Sequence, residues 1–206
     1  MIKVNNIIQS KFEIKRKLFH LCAIIFPISY YYIPSYITKK ILIFLTLGIV
    51  ALDIARYYSR QLSRIIYKIF GSIMRKKEQN KIFSGSTYMA LGFCITSLYF
   101  TKNVCIASWL VLIFSDTFSA LIGRAVRPES AKKTIHGFVA FAVSAIIISY
   151  TYLTLVNCPY SFFTILCASI IAGIFEFFNQ QIQLDDNMTI PISFALSLQQ
   201  IELLNI

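Results

Sequence analysis

Charge is what this sequence has least of. Only 14% of its 206 residues are Asp, Glu, Lys or Arg, where an ordinary soluble domain carries about 25%. So few charges cannot cover a water-facing surface, and no segment reads as a detachable soluble domain. Gly/Ser linkers, Pro-rich tracts and internal repeats are missing too, which leaves one integral membrane domain over residues 1–206. Cys22, Cys94, Cys105, Cys158 and Cys167 stand singly in apolar stretches, with no Cys-x-x-Cys pair. That excludes a thiolate metal site or a dithiol redox motif and makes them packing residues. Basic residues precede the first apolar run, as in a signal peptide, but no small-residue cleavage site follows. That run therefore reads as a retained first span.

What fills the sequence is apolar side chain: 57% of residues are hydrophobic and mean hydropathy is +0.66. Apolar segments run roughly 17–35, 39–57, 84–101, 103–124, 136–156, 160–180 and 188–204, each close to the ~20 residues that a helical span requires. The expected fold is all-α, a multi-pass transmembrane helical bundle of about seven spans. The last span is the weakest, because Gln199, Gln200 and Glu202 interrupt it.

Net charge is +11. In a soluble protein that would raise nucleic acid as a partner. Here the positive-inside rule and anionic lipid account for it, and no nucleic acid is expected. Of 20 Lys and Arg, only Lys39, Lys40 and Lys102 fall on one side of the expected bilayer. The others precede span one or lie between spans two and three and between four and five, which makes the N-terminus cytoplasmic. Residues 57–82 form the longest non-spanning stretch. Arg56, Arg60 and Arg64 with Ile65, Ile66, Ile69 and Phe70 repeat there at helical spacing. An amphipathic cytoplasmic helix fits, lying on the inner surface or packed against the bundle; a solvated basic loop that sets topology is the plainer alternative.

Ionisable groups inside a membrane cost several kcal/mol and so point to function. Asp116 lies two turns before Arg124, with the small residues Ser119, Ala120 and Gly123 on the same face. An Asp there suits Mg²⁺, and Arg124 suits a phosphate; a structural Asp116–Arg124 ion pair is the alternative. Glu176 has no neighbouring cation in sequence. Asp185 and Asp186 follow at the entrance to the last span, where they serve as metal ligands, as a general base or as helix caps. Lys132, Lys133, Thr134, His136 and Gly137 open one span as a phosphate cradle, and Ser84, Gly85 and Ser86 open another as an anion site or a cap. His20 follows Arg16 and Lys17 by one turn, and Asp53 is spaced to pair with Arg56. All of these groups gather at cytoplasmic helix ends. Cations, hydroxyls and carboxylates in one apolar cup are the inventory of phosphoryl transfer beside a lipid.

The series Arg16-Lys17-x-x-His20, Gly85-x-x-Tyr88, Asp116 with Gly123-Arg124, Lys133-Thr134-x-x-Gly137, Glu176 and Asp186-Asn187-x-Thr189-Ile190-Pro191 resembles the polyprenol kinase family. That family includes dolichol kinase, phytol kinase and CTP-dependent diacylglycerol kinase. The likeness runs in order from about residue 13 to 194. It implies a membrane enzyme that transfers the γ-phosphate of CTP to a lipid alcohol; Mg²⁺ is then expected on Asp116 with Glu176 or Asp186. It places Asp116, Gly123, Arg124, Lys133, Thr134 and Gly137 in the nucleotide segment and Glu176 and Asp186 at later acidic positions. Family members often carry Glu where this chain has His136 and a small hydroxyl residue where it has Phe138, so the phosphate contacts and the choice between CTP and ATP stay open. A phosphatidate cytidylyltransferase-like CMP transfer is the second reading, disfavoured because its long C-terminal Asp-Arg signature is lacking. A transporter or scaffold is the third, disfavoured because the charges sit at one depth. The expected location is a bacterial plasma membrane.

Overall fold

The computed structural model describes residues 15–71, 82–127, 133–158 and 160–204. Lys132, Lys3, Lys11, Arg75, Lys76, Lys77 and Lys81 lie outside the described residues, as does the 72–81 part of the amphipathic segment. The described residues are helical, with no strand among them. Helix α1 covers 15–21 and continues through a 3₁₀ turn at Cys22–Ile24 into α2, Ile25–Tyr32. Then come α3 (Ser35–Tyr58), α4 (Arg60–Phe70), α5 (Gly85–Tyr99), α6 (Lys102–Leu110), a π-helical turn (Val111–Ser115) and α7 (Asp116–Val126). Helices α8 (Ile135–Leu155), α9 (Phe162–Ile182) and α10 (Asp186–Leu204) complete the chain.

Three of the described helical stretches are long and apolar enough to cross a membrane: Lys102–Val126, Ile135–Leu155 and Phe162–Asn179. Large apolar side chains face outward on many helices, with Phe44, Tyr58 and Ile135 largely exposed. Without water to satisfy backbone groups, helices of this kind are the stable solution in lipid. This is a membrane protein.

The α6–α7 rod is the central one. Val104 through Trp109 are all buried. Trp109 stacks on Phe93 of α5 at 4.6 Å and on Tyr30 of α2 at 5.2 Å between ring centroids, and its Nε1 donates to Thr96 Oγ1 at 2.7 Å. The indole hydrogen bond spares a polar atom that the apolar core would otherwise penalise. At the end away from the charged residues, Lys102 Nζ donates to the carbonyls of Tyr31 (2.8 Å) and Ile33 (3.2 Å). Glu202, which weakened the last apolar segment, has a structural role. It accepts from Thr164 Oγ1 at 2.7 Å and from the Ser161 N–H at 3.3 Å, at the start of α9.

Helix α10 packs on α9 and α5, and α8 packs on α7 and α9. Glycine sets how closely some of them cross. Pro191 lacks an N–H, so the Asn187 carbonyl loses its helical donor. The α5 backbone comes close there: a Cβ on Gly92 would stand 2.9 Å from Asn187 O and 3.0 Å from Pro191 Cγ. Gly92→Ala forces the two helices apart. The expected loss is about 1–3 kcal/mol of stability, read as a lowered unfolding temperature in detergent.

Candidate active site

The π-helical turn at Val111–Ser115 interrupts the central rod just before Asp116. Such wide turns rotate the helix beyond them and recur at functional positions. Here the turn precedes an Asp116 that faces α1, where Lys17 Nζ makes an ion pair with its carboxylate and donates to its carbonyl at 3.1 Å. His20 Nε2 lies 3.8 Å from Asp116 Oδ2 and donates to Leu112 O at 3.4 Å, within the wide turn. Asp116, Lys17 and His20 are all buried. The partner of Asp116 across the bundle is thus a lysine 99 residues earlier.

A second cluster adjoins the first. Lys133, just ahead of α8, makes an ion pair with Glu176 of α9 and stands 3.4 Å from Asp186 Oδ2 at the start of α10. Ser119 Oγ donates to Glu176 Oε1 at 3.1 Å, and Asn179 Nδ2 donates to Asp186 Oδ2 at 2.9 Å. Burial opposes the Lys133 charge more than any other single influence. Asp186, Glu176 and Asp116 together outweigh it and hold the ammonium above the ordinary lysine value. Glu176 Oε2 and Asn179 Oδ1 are buried with no hydrogen-bond partner among the described residues.

A third group fixes the rim. Asp53 of α3 accepts from the Ser84 N–H at 2.6 Å, from Thr87 Oγ1 at 2.5 Å and from Arg56 Nε at 3.1 Å. The carboxylate therefore caps α5, supplying an acceptor for N–H groups that have no helical partner. Arg56 reaches on to the Tyr67 hydroxyl (3.3 Å) and the Ile82 carbonyl (3.0 Å). Helix α4 is accordingly tied to the end of α3. Thr87 is fully buried. Thr87→Val keeps its shape and removes one charge-assisted hydrogen bond, for an expected loss of about 1.5–3 kcal/mol, checked by thermal unfolding.

These groups surround a cavity of about 370 Å³. Its polar lining is Arg16, Lys17, His20, Asp53, Asp116, Asp186 and Asn187, with Ser84, Gly85 and Ser86. Its apolar lining is Phe19, Ile49, Leu52, Leu62, Ile66, Phe70 and Met89. The polar side chains suit a polyanion and the apolar ones a hydrocarbon.

Several expected site residues take other positions. Lys133 and Glu176 stand behind the lining and touch it through Asp186. Thr134 is the N-cap of α8, its Oγ1 accepting from the Gly137 N–H at 3.1 Å. Gly123 and Gly137 sit where α7 and α8 cross; a Cβ on Gly123 would stand 3.0 Å from Thr134 Oγ1, and one on Gly137 3.0 Å from Ser119 O. Thr189 donates to Asp185 O, and both Asn187 nitrogens donate to Asp185 Oδ1, so Asp185 acts at the helix start as a cap. Arg124 is half-buried and His136 exposed, and neither is among the lining residues. Sequence reasoning missed Gly92 and the Thr87–Asp53 bond. The signal for Gly92 was its isolation inside an apolar helix.

The fold and site define a helical membrane protein with a cavity lined by ionic and apolar side chains. The chain is 38% identical over 189 residues to the uncharacterized protein RP860 of Rickettsia prowazekii, spanning 90% of this chain and 93% of that one. It belongs to the same family as that protein. It is also similar to proteins named CTP-dependent diacylglycerol kinase 1. The one from Saccharomyces cerevisiae is 27% identical over 91% of this chain and 72% of its own length, and the one from Eremothecium gossypii is 26% identical over 93% and 68%. No family model and no solved structure matches the chain.

Proposed function

We propose that this protein is a lipid kinase that transfers the γ-phosphate of CTP to the hydroxyl of a lipid alcohol, with diacylglycerol the first candidate acceptor and polyprenol and phytol-like alcohols the next. The observation that carries the reading is a single cavity lined by both ionic and apolar side chains. A lipid alcohol has that shape: a polar group to present to a nucleotide, and a tail that stays in hydrocarbon. The fungal relatives, which are named CTP-dependent diacylglycerol kinase 1, support the donor and the acceptor class.

In this reading Arg16 and Lys17 neutralise phosphate oxygens, and the Ser84–Ser86 rim places hydroxyls and backbone N–H groups against the nucleotide. The lipid oxygen forms a bond to the γ-phosphorus as the bond to the β–γ bridging oxygen breaks. CDP leaves with that electron pair, and the hydroxyl proton passes to a carboxylate of the cup. Asp53, Asp116 and Asp186 line the cavity; Asp53 is engaged by Arg56, Ser84 and Thr87, which makes Asp116 and Asp186 the candidates. Among the described residues no three His, Cys, Asp or Glu side chains stand close enough to hold a metal by themselves. Mg²⁺ nevertheless fits the donor set, because it takes one or two carboxylates and completes its shell with phosphate and water. Asp116 and Asp186 would hold it, and Glu176 Oε2 and Asn179 Oδ1 are spare oxygens behind them. Bound there, it supplies charge neutralisation on the transferring phosphate.

The seven rods formed by α1–α2, α3, α5, α6–α7, α8, α9 and α10 serve as about seven spans. The charged cup then lies at the cytoplasmic face, where nucleotide is available, in a bacterial plasma membrane. The test is purified protein in nanodiscs with γ-labelled CTP, Mg²⁺ and a panel of diacylglycerol, polyprenols and phytol. Label in the lipid fraction is the expected result. No label in any lipid, alongside an active control kinase, overturns the proposal. Release of pyrophosphate in place of CDP identifies CMP transfer instead.

A further inference from the structure

The apolar lining of the cavity includes a wall of its own. Leu62, Ile66 and Phe70 of α4 recur every fourth residue, so they line one face over about 12 Å. Phe19 of α1 and Ile49 and Leu52 of α3 line the same cavity. The slot opens sideways: Phe19, Leu52 and Phe70 keep 44%, 56% and 43% of their surface exposed. Its wall is also held in place. Ser59 caps α4 by accepting from the Leu62 N–H at 3.3 Å, and Arg56 ties Tyr67 of α4 to Asp53 of α3.

The geometry points to a specificity role for α4: Leu62, Ile66 and Phe70 form a subsite that grips the hydrocarbon nearest the reacting hydroxyl and selects acceptors by the shape of that segment. The inference rests on the lipid-kinase reading and adds the residues that choose the lipid. The occupant is argued from continuity, since these apolar side chains line the same cavity as Arg16, Lys17, Asp116 and Asp186. Selection is by shape because the substrate already lies in hydrocarbon. Moving its tail from bilayer to slot removes little apolar surface from water, and what remains is packing. A slot of about 12 Å also contacts only the proximal part of a long tail, leaving the rest in the bilayer. Extra length beyond that part is therefore indifferent, whereas methyl branches within it are not.

The test has two arms. In the first, wild-type protein in nanodiscs is irradiated with a diacylglycerol carrying a diazirine midway along one acyl chain, and labelled peptides are mapped by mass spectrometry. This arm needs no turnover. Label on 62–70 and 49–52, reduced by unlabelled diacylglycerol, is expected; label confined to other helices overturns the slot. In the second, Ile66→Trp fills the slot, with Leu62→Phe as a milder version should the first fail to fold. The expected result is an acceptor KM raised roughly tenfold, as overpacking of a fitted site predicts, with the CTP KM within about twofold and a changed ratio of linear to branched acceptors. Unchanged acceptor KM and ratio overturn the proposal. Label on α4 from a protein that phosphorylates no lipid leaves the slot standing and removes the kinase reading.

Discussion

Under the proposed lipid-kinase function, Asp116→Asn is expected to abolish lipid phosphorylation while the bundle stays folded. The substitution keeps the shape of the side chain and removes its charge. Lys17 and His20 then lose the carboxylate they share, and the cavity loses one of its three lining acids. A group that takes a proton or orients the attacking oxygen contributes about 10²–10⁴-fold in rate, so turnover falls by at least that range. An uncompensated buried ammonium is also costly, and some loss of stability accompanies the change. The measurement is γ-label transfer at saturating CTP and lipid, with unfolding temperature recorded on the same preparation. A folded variant with more than a tenth of wild-type turnover contradicts the role given to Asp116.

Lys133→Met is expected to produce the largest loss of stability. The ammonium stands among Glu176, Asp186 and Asp116, and Glu176 is almost completely buried. Without it, like charges face one another with little water to screen them. Breaking one partner out of a buried ionic group costs about 3–5 kcal/mol. Lys133→Met with Glu176→Gln removes a charge of each sign and recovers a substantial part of that loss. The pH dependence has a definite sign. The fold raises the Lys133 pKa, so its contribution is complete below the ordinary lysine value near pH 10 and is lost only as pH climbs through the raised one. The stabilisation from Lys133 therefore persists unchanged between about pH 6 and 9. Chemical unfolding in detergent at several pH values checks both points.

The carboxylates were legible in the sequence because a charge in an apolar run has few innocent explanations. Asp116 and Glu176 stand out on that ground and Asp186 through the family resemblance, and the structure gathers them in two adjoining clusters. Their partners were harder. Arg124, eight residues on from Asp116, reads as a phosphate ligand, with an Asp116–Arg124 ion pair as the alternative. The structure brings Lys17 to Asp116, through a contact that no periodicity within one helix can encode. Asp53 and Arg56 were readable as a pair at i and i+3, whereas the reach of Asp53 to Ser84 and Thr87 depends on how α3 meets α5. The segment at Lys133–Gly137 shows how one signature carries two meanings. Lys133 belongs to the charged cluster, while Thr134 caps a helix and Gly137 admits a close crossing. Long apolar helices announced themselves through composition. The π-helical turn before Asp116 did not, since Val, Leu, Ile and Phe carry no local preference for a wider turn.

The account depends on the charged cup holding a nucleoside triphosphate, and equilibrium binding tests that without relying on the lipid. Labelled CTP with Mg²⁺ is titrated against purified wild-type protein in nanodiscs and against Arg16→Ala. Saturable binding is predicted, displaced by CDP and weakened about tenfold or more by the variant, as loss of one charge-assisted contact implies. No saturable binding to folded wild-type protein, or binding that Arg16→Ala and Asp116→Asn both leave unchanged, contradicts it.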